Sequence, residues 1–511
     1  MNKLNLKILS VVFLFVFAFC SCTDKGNTEK LKKGNLTIGW AMEDITPDGS
    51  VSLMGQYYER MSKYVQSPLT ATAMAIESVG KNGEKDQAIM ISLDVVNFHE
   101  SLQDSLRNTL QGRLPGFDLN KLFINATHDH SSLYTGFGKY RSMLLKKLSK
   151  IAVEAWENRQ PGGISHELRY AVVGHNRRID YADGSTEMYG STNRADFLGL
   201  EGPEDSGVDM LFCWDINKEL TGIVINVACP AQVTEAQYYV SADYWGEVRK
   251  NIKEKFSDKV YVLAQLSAAG DISPRDLTCD YKSGEPNMWD VPGIVEIGER
   301  LGNVAEDAYS DAKKDIQTDV IFKHVVKNIN LPTRQYSKEE YKKAQAIVKK
   351  IRSAEPKDPK SPDTAWNKFL IELKANEKVK EYGPWDNKLS DYGIVKKQEA
   401  LVKQYEKQDQ NPFYPVELHV MRLGDVVFAT NPFELFVDFG YRITARDKAS
   451  QTFLIQLCAG DNGGYLPTKR AIEGDGYRGY SAMVNKVGPK GGAVLVEETI
   501  NIINSLWDEK E

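Results

Sequence analysis

Apolar runs of strand length alternate with helical spacing from residue 36 onwards. Residues 36–41 alternate between apolar and polar side chains, whereas residues 88–96 are almost wholly apolar, as in a strand buried on both faces. Residues 100–113 have the spacing of a helix, and the next apolar run, 122–126, is again typical of a strand. A strand, a helix and a strand in this order predict parallel neighbours whose carboxyl-end loops form a site.

The second half of the chain continues this mixture and adds one segment of different composition. Residues 337–410 are rich in Lys and Glu with helical spacing, which predicts a helical insertion on the surface. Residues 431–434 begin another helix, placing Glu434 in a first turn, where the helix dipole favours a carboxylate. The predicted fold class is α/β, with a mixed, largely parallel sheet flanked by helices. Further elements are predicted as paired strands at 209–214 and 222–229, a helix at 245–256, a strand at 260–266, a hairpin at 416–430 and a closing helix at 493–507.

The amino terminus has the pattern of a bacterial lipoprotein signal. Lys3 and Lys7 precede an apolar run, 8–19, that is too short to anchor the chain by spanning a bilayer. A small residue, Ser21, stands before Cys22, so Cys22 is the predicted lipid-bearing residue. We therefore expect a signal peptide at 1–22, a flexible tether at 23–35, a catalytic domain at 36–511 and a location in the cell envelope, periplasmic or at the surface. An ordinary secretory signal or an uncleaved anchor is the alternative.

Composition narrows the class of protein. The formal net charge of -6 argues against a nucleic-acid partner, and the 42% hydrophobic residues suffice for a large core. The cysteines after the signal are few and widely spaced, so no disulfide framework is implied. One or two disulfide bridges are compatible with the expected compartment. These cysteines are Cys213, Cys229, Cys279 and Cys458.

Two of the seven histidines, His128 and His130, follow the 122–126 strand with one residue between them. In an extended segment, residues two apart point to the same side, so the two rings can converge on a metal ion or a polarised carbonyl. Surface or hydrogen-bonded histidines produce the same spacing. The pair alone therefore leaves both readings open.

Three later segments carry further candidate residues. Two adjacent arginines, 177 and 178, follow Asn176 and indicate either a solvated surface or a substrate contact. Cys229 ends a strand, where a small core residue and a ligand are both expected readings. The loop 267–275 offers the carboxylate of Asp271 and the hydroxyl of Ser273 beside a glycine, as a site or as a simple turn.

Taken in order, these segments resemble the neutral ceramidase family, zinc-dependent amidases that cleave the N-acyl bond of sphingolipids. The resemblance extends from residue 38 to about residue 505. Its segments are Gly39 with 44–46, 54–55, 127–131, 176–177, 241–243, 270–274, 431–434, and Tyr465 with Tyr477.

The resemblance implies a role for each matched residue. The implied zinc ligands are His128, Glu434 and Tyr465, and His130 is implied to be an acid/base or substrate-polarising group. The substrate carbonyl would be contacted by Arg177 and Tyr477, with Asn176 and Asp271 in the substrate-binding set. Ser273 matches a serine that has been assigned as a nucleophile.

Two assignments of the attacking group remain. A zinc ion with an open position lowers the pKa of bound water and polarises the carbonyl, so that Ser273 would only position the substrate. We favour this route because Ser273 has no histidine close in sequence.

The chain departs from the family in two places. Residues 226–232 contain no histidine where the family carries a second histidine ligand. Three alternatives follow: Cys229 replaces it as a thiolate, Gln232 or Glu235 fills in, or the metal is lost. Because residues follow Trp507 only as far as Glu511, we also expect the family's immunoglobulin-like C-terminal domain to be missing.

The sequence thus predicts a zinc-dependent hydrolase of an N-acyl amide, held at a membrane through lipid on Cys22. Its partner would be a small-molecule, lipid or glycan amide. The alternatives are a divergent hydrolase of a glycan or ester, and a metal-free ligand-binding lipoprotein.

Overall fold

The protein is described by a computed structural model that covers residues 30–56, 58–80, 83–99, 101–136, 138–279, 288–375, 390–459, 463–475 and 485–508. The predicted signal, with Cys22, and the predicted substrate contact Tyr477 lie outside these residues. Within them the strands are β1 Leu36–Asp44, β2 Ser52–Leu53, β3 Arg60–Met61, β4 Thr70–Val79, β5 Lys85–Leu93, β6 Leu122–Ala126, β7 Gln160–Tyr170, β8 His175–Asn176, β9 Arg178–Tyr181, β10 Thr186–Met188, β11 Phe197–Leu200, β12 Gly207–Asp215, β13 Leu220–Val227, β14 Tyr261–Leu266, β15 Ile272–Ser273, β16 Phe322–Pro332, β17 Phe413–Leu423, β18 Val426–Thr430, β19 Glu434–Leu435, β20 Gln451–Ile455 and β21 Tyr465–Leu466.

The helices alternate with these strands. In chain order they are α1 Ser101–Leu110, α2 Gly138–Glu157, α3 Tyr244–Lys255, α4 Asp290–Ala312, α5 Lys338–Ala354, α6 Ala365–Ala375, α7 Asp391–Tyr405, α8 Val437–Thr444, α9 Lys469–Asp475 and α10 Pro489–Ser505. Helices α5, α6 and α7 lie within the segment predicted as a helical insertion. Among the described helices, none combines the length and apolarity that crossing a bilayer requires.

The largest sheet has eight strands in the order β14-β13-β12-β7-β1-β4-β5-β6. Its mixed character and its flanking helices confirm the predicted fold class, but not the predominance of parallel strands. In the described sheet only β13 with β14 and β5 with β6 run parallel, while the other neighbours are antiparallel.

A second sheet explains why the strands look buried on both faces. Four strands, β16-β17-β18-β20, form this smaller sheet, whose apolar side chains pack on one face of the large sheet. Met90 and Phe123 of the large sheet share a core cluster with Phe428 and Phe453 of the small one. Helices α1 and α2 cover the opposite face in a separate cluster. Antiparallel strands are therefore apolar on both faces here because a sheet replaces the second helical layer.

Three parallel strand pairs end beside one another, and this junction positions the site. The pairs are β5 with β6, β13 with β14, and β18 with β20. Backbone hydrogen bonds join their ends across the two sheets, from Gln456 to Leu266 at 3.0 Å and from Ala459 to Ile124 at 3.1 Å. The rule that sites form at the carboxyl ends of parallel strands thus applies locally in a mostly antiparallel sheet.

Candidate active site

The chain turns sharply at His128, just after β6. Its φ angle is +61°, so the segment is not extended. The prediction of an extended segment from the spacing of the histidines was therefore wrong. Asp129 Oδ1 accepts a hydrogen bond from the backbone N–H of Ser131 at 2.8 Å and closes the turn. This turn, rather than strand alternation, brings the Nε2 atoms of His128 and His130 to 3.3 Å.

Each side of the His128 ring meets an acceptor. Its Nδ1 lies 3.0 Å from the carbonyl oxygen of Val96, and its Nε2 lies 3.5 Å from Glu434 Oε2. Burial lowers the pKa of His128 to about 4, although the Glu434 carboxylate opposes the shift. The ring is therefore neutral at physiological pH. Its Nδ1–H donates to the Val96 carbonyl oxygen, so Nε2 carries the lone pair.

The His130 ring is held on three sides. Its Nδ1 lies 2.9 Å from Glu235 Oε2, with the N–H off the ideal line, and its Nε2 lies 2.9 Å from Gln232 Nε2. The ring face rests on Gly55, where a Cβ would overlap the imidazole. Gln56 donates a 3.0 Å hydrogen bond to Glu235 Oε2, so the carboxylate is itself fixed. Burial lowers the pKa of His130 well below its ordinary value.

One buried arginine fastens the loops around His130. Arg60 donates to the carbonyl oxygens of Met54 and His130 and, at 2.7 Å, to that of Gln237. Its side chain is fully buried. The three loops that carry Gly55, His130 and Glu235 are thereby joined at one cation.

Glu434 and Tyr465 reach the site from two short paired strands. β19 and β21 run parallel with Glu434 opposite Tyr465. The sequence had placed Glu434 in the first turn of a helix, and this prediction was wrong. The helix begins later, at Val437. Behind the pair, a Cβ on Gly270 would overlap the carbonyl oxygen of Glu434, so the backbones meet directly.

Arg177 connects the tyrosine to the loop after β14. It donates to Tyr465 Oη at 3.1 Å, to the Gly270 carbonyl at 2.9 Å and to Tyr189 Oη at 3.3 Å. Burial would lower the pKa of Arg177, but Tyr465, Tyr189 and Glu434 outweigh it and raise the pKa well above its usual value. The site therefore contains a permanently charged guanidinium.

Asn176 and Asp271 support this arginine from behind. Asn176 Nδ2 donates to Asp271 Oδ2 at 3.2 Å, and the Asp271 carbonyl accepts from the backbone N–H of Arg177 at 2.9 Å. Asp271 Oδ1 also accepts from Val437 N at the start of α8, at 2.8 Å. Burial raises the pKa of Asp271 to about 6. Their described contacts fix the loops on which Arg177 lies.

Two solved structures resemble this architecture. The structure of neutral ceramidase from Pseudomonas aeruginosa matches with a TM-score of 0.65 at 16% identity, covering 93% of this chain and 75% of that one. The chain has the fold of a neutral ceramidase. A ceramidase complexed with C2 matches with a TM-score of 0.64 at 17% identity and the same coverage of 93% and 75%. No family model and no curated protein sequence matches the chain.

Within this ceramidase fold, Cys229 does not join the histidine pair. Its Sγ donates to the Val173 carbonyl at 3.1 Å, inside an apolar cluster beneath the sheet. Burial raises the pKa of its thiol well above the ordinary value, which disfavours a thiolate. The placement does not support Cys229 as a substitute for the missing histidine.

The ceramidase fold also brings in residues that the sequence had not singled out as site residues. Arg60 and Tyr189 contact site residues 70 and 12 positions away. Gln232 and Glu235, which the sequence had offered as replacements for the missing histidine, flank His130, whereas Cys229 does not. Tyr189 has a left-handed φ of +53°. This backbone conformation marks the residue in the structure, but no sequence pattern predicts it.

Among the described His, Cys, Asp and Glu side chains, no group of three is placed to hold a metal ion. Two of these side chains, His128 and Glu434, face each other, and Tyr465 lies opposite Glu434 in the strand pair with its phenol oxygen bonded to Arg177. A third protein ligand from the described residues would therefore be a side chain of another type, such as this phenol.

Proposed function

We propose that the protein is a metal-dependent hydrolase of neutral-ceramidase type that cleaves an N-acyl amide bond. The observation that carries the proposal is that His128 faces Glu434, whose strand partner Tyr465 is hydrogen-bonded to the charged Arg177. These residues come from different strand ends of the two sheets, so their proximity does not follow from sequence neighbourhood. The ceramidase fold supports the same reading.

The donor set fits a zinc ion. His128 Nε2 and Glu434 Oε2 both present lone pairs and lie 3.5 Å apart, an arrangement that a cation between them would stabilise. Two ligands of a tetrahedral zinc ion, with bonds of roughly 2.0–2.1 Å, are about 3.3 Å apart. The Val96 carbonyl on His128 Nδ1 is the kind of acceptor that orients histidine ligands. The Tyr465 oxygen accepts a hydrogen bond from Arg177 at 3.1 Å, which fixes the position of the phenol.

Zinc bound by these three residues would supply a Lewis acid for the scissile carbonyl and lower the pKa of a water molecule. Arg177 presents fixed positive charge to the carbonyl oxygen as it becomes negative. His130 takes the proton from the attacking water and returns it to the leaving nitrogen. Glu235 beside Nδ1 keeps the ring proton there, and the Gln232 amide donates to the Nε2 lone pair. The attacking water therefore has to displace this amide for His130 to act as the base.

The test combines metal content with turnover. We expect purified protein to hold about one zinc ion per chain and to hydrolyse a fluorescent N-dodecanoyl sphingosine. The matching O-acyl ester and an N-acetylated sugar are assayed in parallel, because they separate the amide hydrolase from the ester and glycan alternatives.

Two carboxylate variants provide the matched control. Glu434→Gln should lose zinc and activity together, whereas Glu417→Gln, which removes a carboxylate beside a different histidine, His419, should keep both. Zinc-free wild-type protein that binds an acylated probe without turnover would contradict the hydrolase and identify a binding protein.

A further inference from the structure

The hydroxyl of Tyr189 lies between Arg177 and Ser273. Arg177 donates to Tyr189 Oη at 3.3 Å, and Tyr189 Oη donates to Ser273 Oγ at 3.4 Å. Because a guanidinium can only donate, the phenol proton is committed to the serine. Both contacts are long, as hydrogen bonds in a site without substrate often are.

This arrangement determines whether the Ser273 hydroxyl donates or accepts a hydrogen bond towards the substrate. Its Oγ also accepts from the backbone N–H of Arg275 at 3.2 Å, so two donors occupy the oxygen lone pairs. The serine's own proton is then free to point to another acceptor. The histidine opposite Ser273, His175 of β8, has its Nδ1 3.5 Å from Glu204. Among the described residues, no histidine or carboxylate is hydrogen-bonded to Ser273 Oγ.

The backbone at Tyr189 is strained in a way that serves this contact. Its φ of +53° costs a residue other than glycine about 1–2 kcal/mol. A backbone hydrogen bond of 2.7 Å from Tyr189 N to the Arg177 carbonyl holds the conformation. Such strain persists where the surroundings impose it, and it concentrates at functional sites.

We propose that Tyr189 is a positioning residue that, polarised by Arg177, directs the Ser273 O–H towards the acyl oxygen of the substrate. Ser273 then acts as a hydrogen-bond donor and not as the nucleophile. The inference rests on the proposed hydrolase function for the identity of the substrate, but the arrangement of donors does not depend on it.

A double-mutant cycle on turnover tests the proposal. With N-dodecanoyl sphingosine, Tyr189→Phe should lower kcat about tenfold, the worth of one hydrogen bond, with KM little changed. Ser273→Ala should lower kcat by at least as much, and Tyr189→Phe should add little in the Ser273→Ala background. The proposal would be overturned if the losses in kcat of the two single variants multiplied in the double variant. It would also be overturned if Tyr189→Phe had the kcat of the wild type.

A second readout does not need turnover. Calorimetric binding of dodecanoate, whose carboxylate offers the same acceptor, should weaken several-fold in Tyr189→Phe and in Ser273→Ala, without further loss in the double variant. Tyr181→Phe is the matched control, since that phenol donates to the Ser191 carbonyl at 3.1 Å, away from Arg177. It should bind as wild type does. Equal melting temperatures show that the variants fold.

The two readouts separate the hypotheses. Absence of turnover by wild-type protein, with a coupled loss of dodecanoate binding in the variants, would reject the hydrolase and keep the role of Tyr189. Turnover by wild-type protein, with independent effects of the Tyr189 and Ser273 substitutions, would keep the hydrolase and reject the role of Tyr189. Wild-type protein that neither turns over the amide nor binds dodecanoate would overturn both.

Discussion

Two pairs of buried histidines differ in where their ring nitrogens point. In the site, His128 and His130 place their Nε2 atoms 3.3 Å apart. Between the two sheets, His324 Nε2 lies 3.0 Å from His419 Nδ1. Both pairs are almost fully buried, and burial lowers the pKa of every ring.

The second pair belongs to a chain of contacts that is closed at both ends. His324 Nδ1 lies 3.0 Å from the Gln87 carbonyl, and His419 Nε2 lies 2.9 Å from Glu417. Arg107 in turn donates to that carboxylate at 2.8 Å. Every ring nitrogen has a partner within the cluster, and these contacts link β5, β16 and β17.

The first pair is open towards the site. His128 Nε2 faces the acceptors His130 Nε2 and Glu434 Oε2, and its described contacts include no donor. Burial and proximity are therefore common to both pairs, whereas a carboxylate beside the facing ring nitrogens, that of Glu434, is particular to the first pair. This difference separates a candidate site from a structural cluster.

The largest expected effect is on activity. His128→Ala should lower kcat/KM about a thousandfold, because it removes a ligand that organises the reacting centre. His419→Ala removes an equally buried imidazole and should leave kcat/KM within about threefold of wild type. Steady-state hydrolysis of the N-acyl probe measures both, and equal losses would abolish the distinction between the pairs.

Stability should show the opposite order. His419→Ala leaves His324 Nε2 without its buried partner and removes one contact of the Glu417 carboxylate, which keeps Arg107. This loss should cost about 2 kcal/mol of unfolding free energy. His128→Ala removes converging acceptors, and its cost should stay within about 1 kcal/mol. Urea unfolding of metal-free protein gives both values, and the comparison fails if His128→Ala is the more destabilised variant.

Two glycines separate backbone strain from ring displacement. Gly55 and Gly184 have φ of +92° and +80°, but only at Gly55 would a Cβ meet a neighbour, the His130 ring. Gly184→Ala should cost about 1 kcal/mol with unchanged activity. Gly55→Ala should cost more and lower kcat at least tenfold, since the ring must move. Similar activities would show that the ring's position is not critical.

The smallest effect concerns acid stability through the closed cluster. Burial would raise the pKa of Glu417, but hydrogen bonds from His419 and Arg107 outweigh it and lower the pKa to about 2. The unfolded chain binds this proton near pH 4.3, so the contribution is present above that pH and is lost as the pH falls towards 2. Glu417→Gln should flatten stability against pH in this window, as urea midpoints would show. A parallel curve would contradict it.

Local patterns predict most of the elements but not how they pair. The apolar run that became β5, the helical spacing of α1 and the run that became β6 are each visible in the sequence, and the parallel pairing of the two strands follows from their order. The predominance of antiparallel strands is not visible, because the small sheet that covers β1, β4 and β5 comes from residues beyond 320.

The site shows the same limit. The resemblance selected His128, Glu434, Tyr465 and Arg177, and the structure brings them together, while their roles stay predictions. The helix expected at Glu434 was wrong because β19 pairs with β21, some 30 positions later. The direction of the Cys229 thiol depends on the Val173 carbonyl, a contact that no local pattern contains.

The contact between Gly270 and Glu434 has a mechanical consequence. Two main chains touch there without an intervening side chain, and Gly270 N donates to the Leu435 carbonyl at 2.8 Å. No rotamer change can widen this seam, since opening it means breaking a peptide hydrogen bond. The backbone beneath the Glu434 carboxylate is therefore fixed, and no side-chain motion at this contact can make room for a bulky molecule.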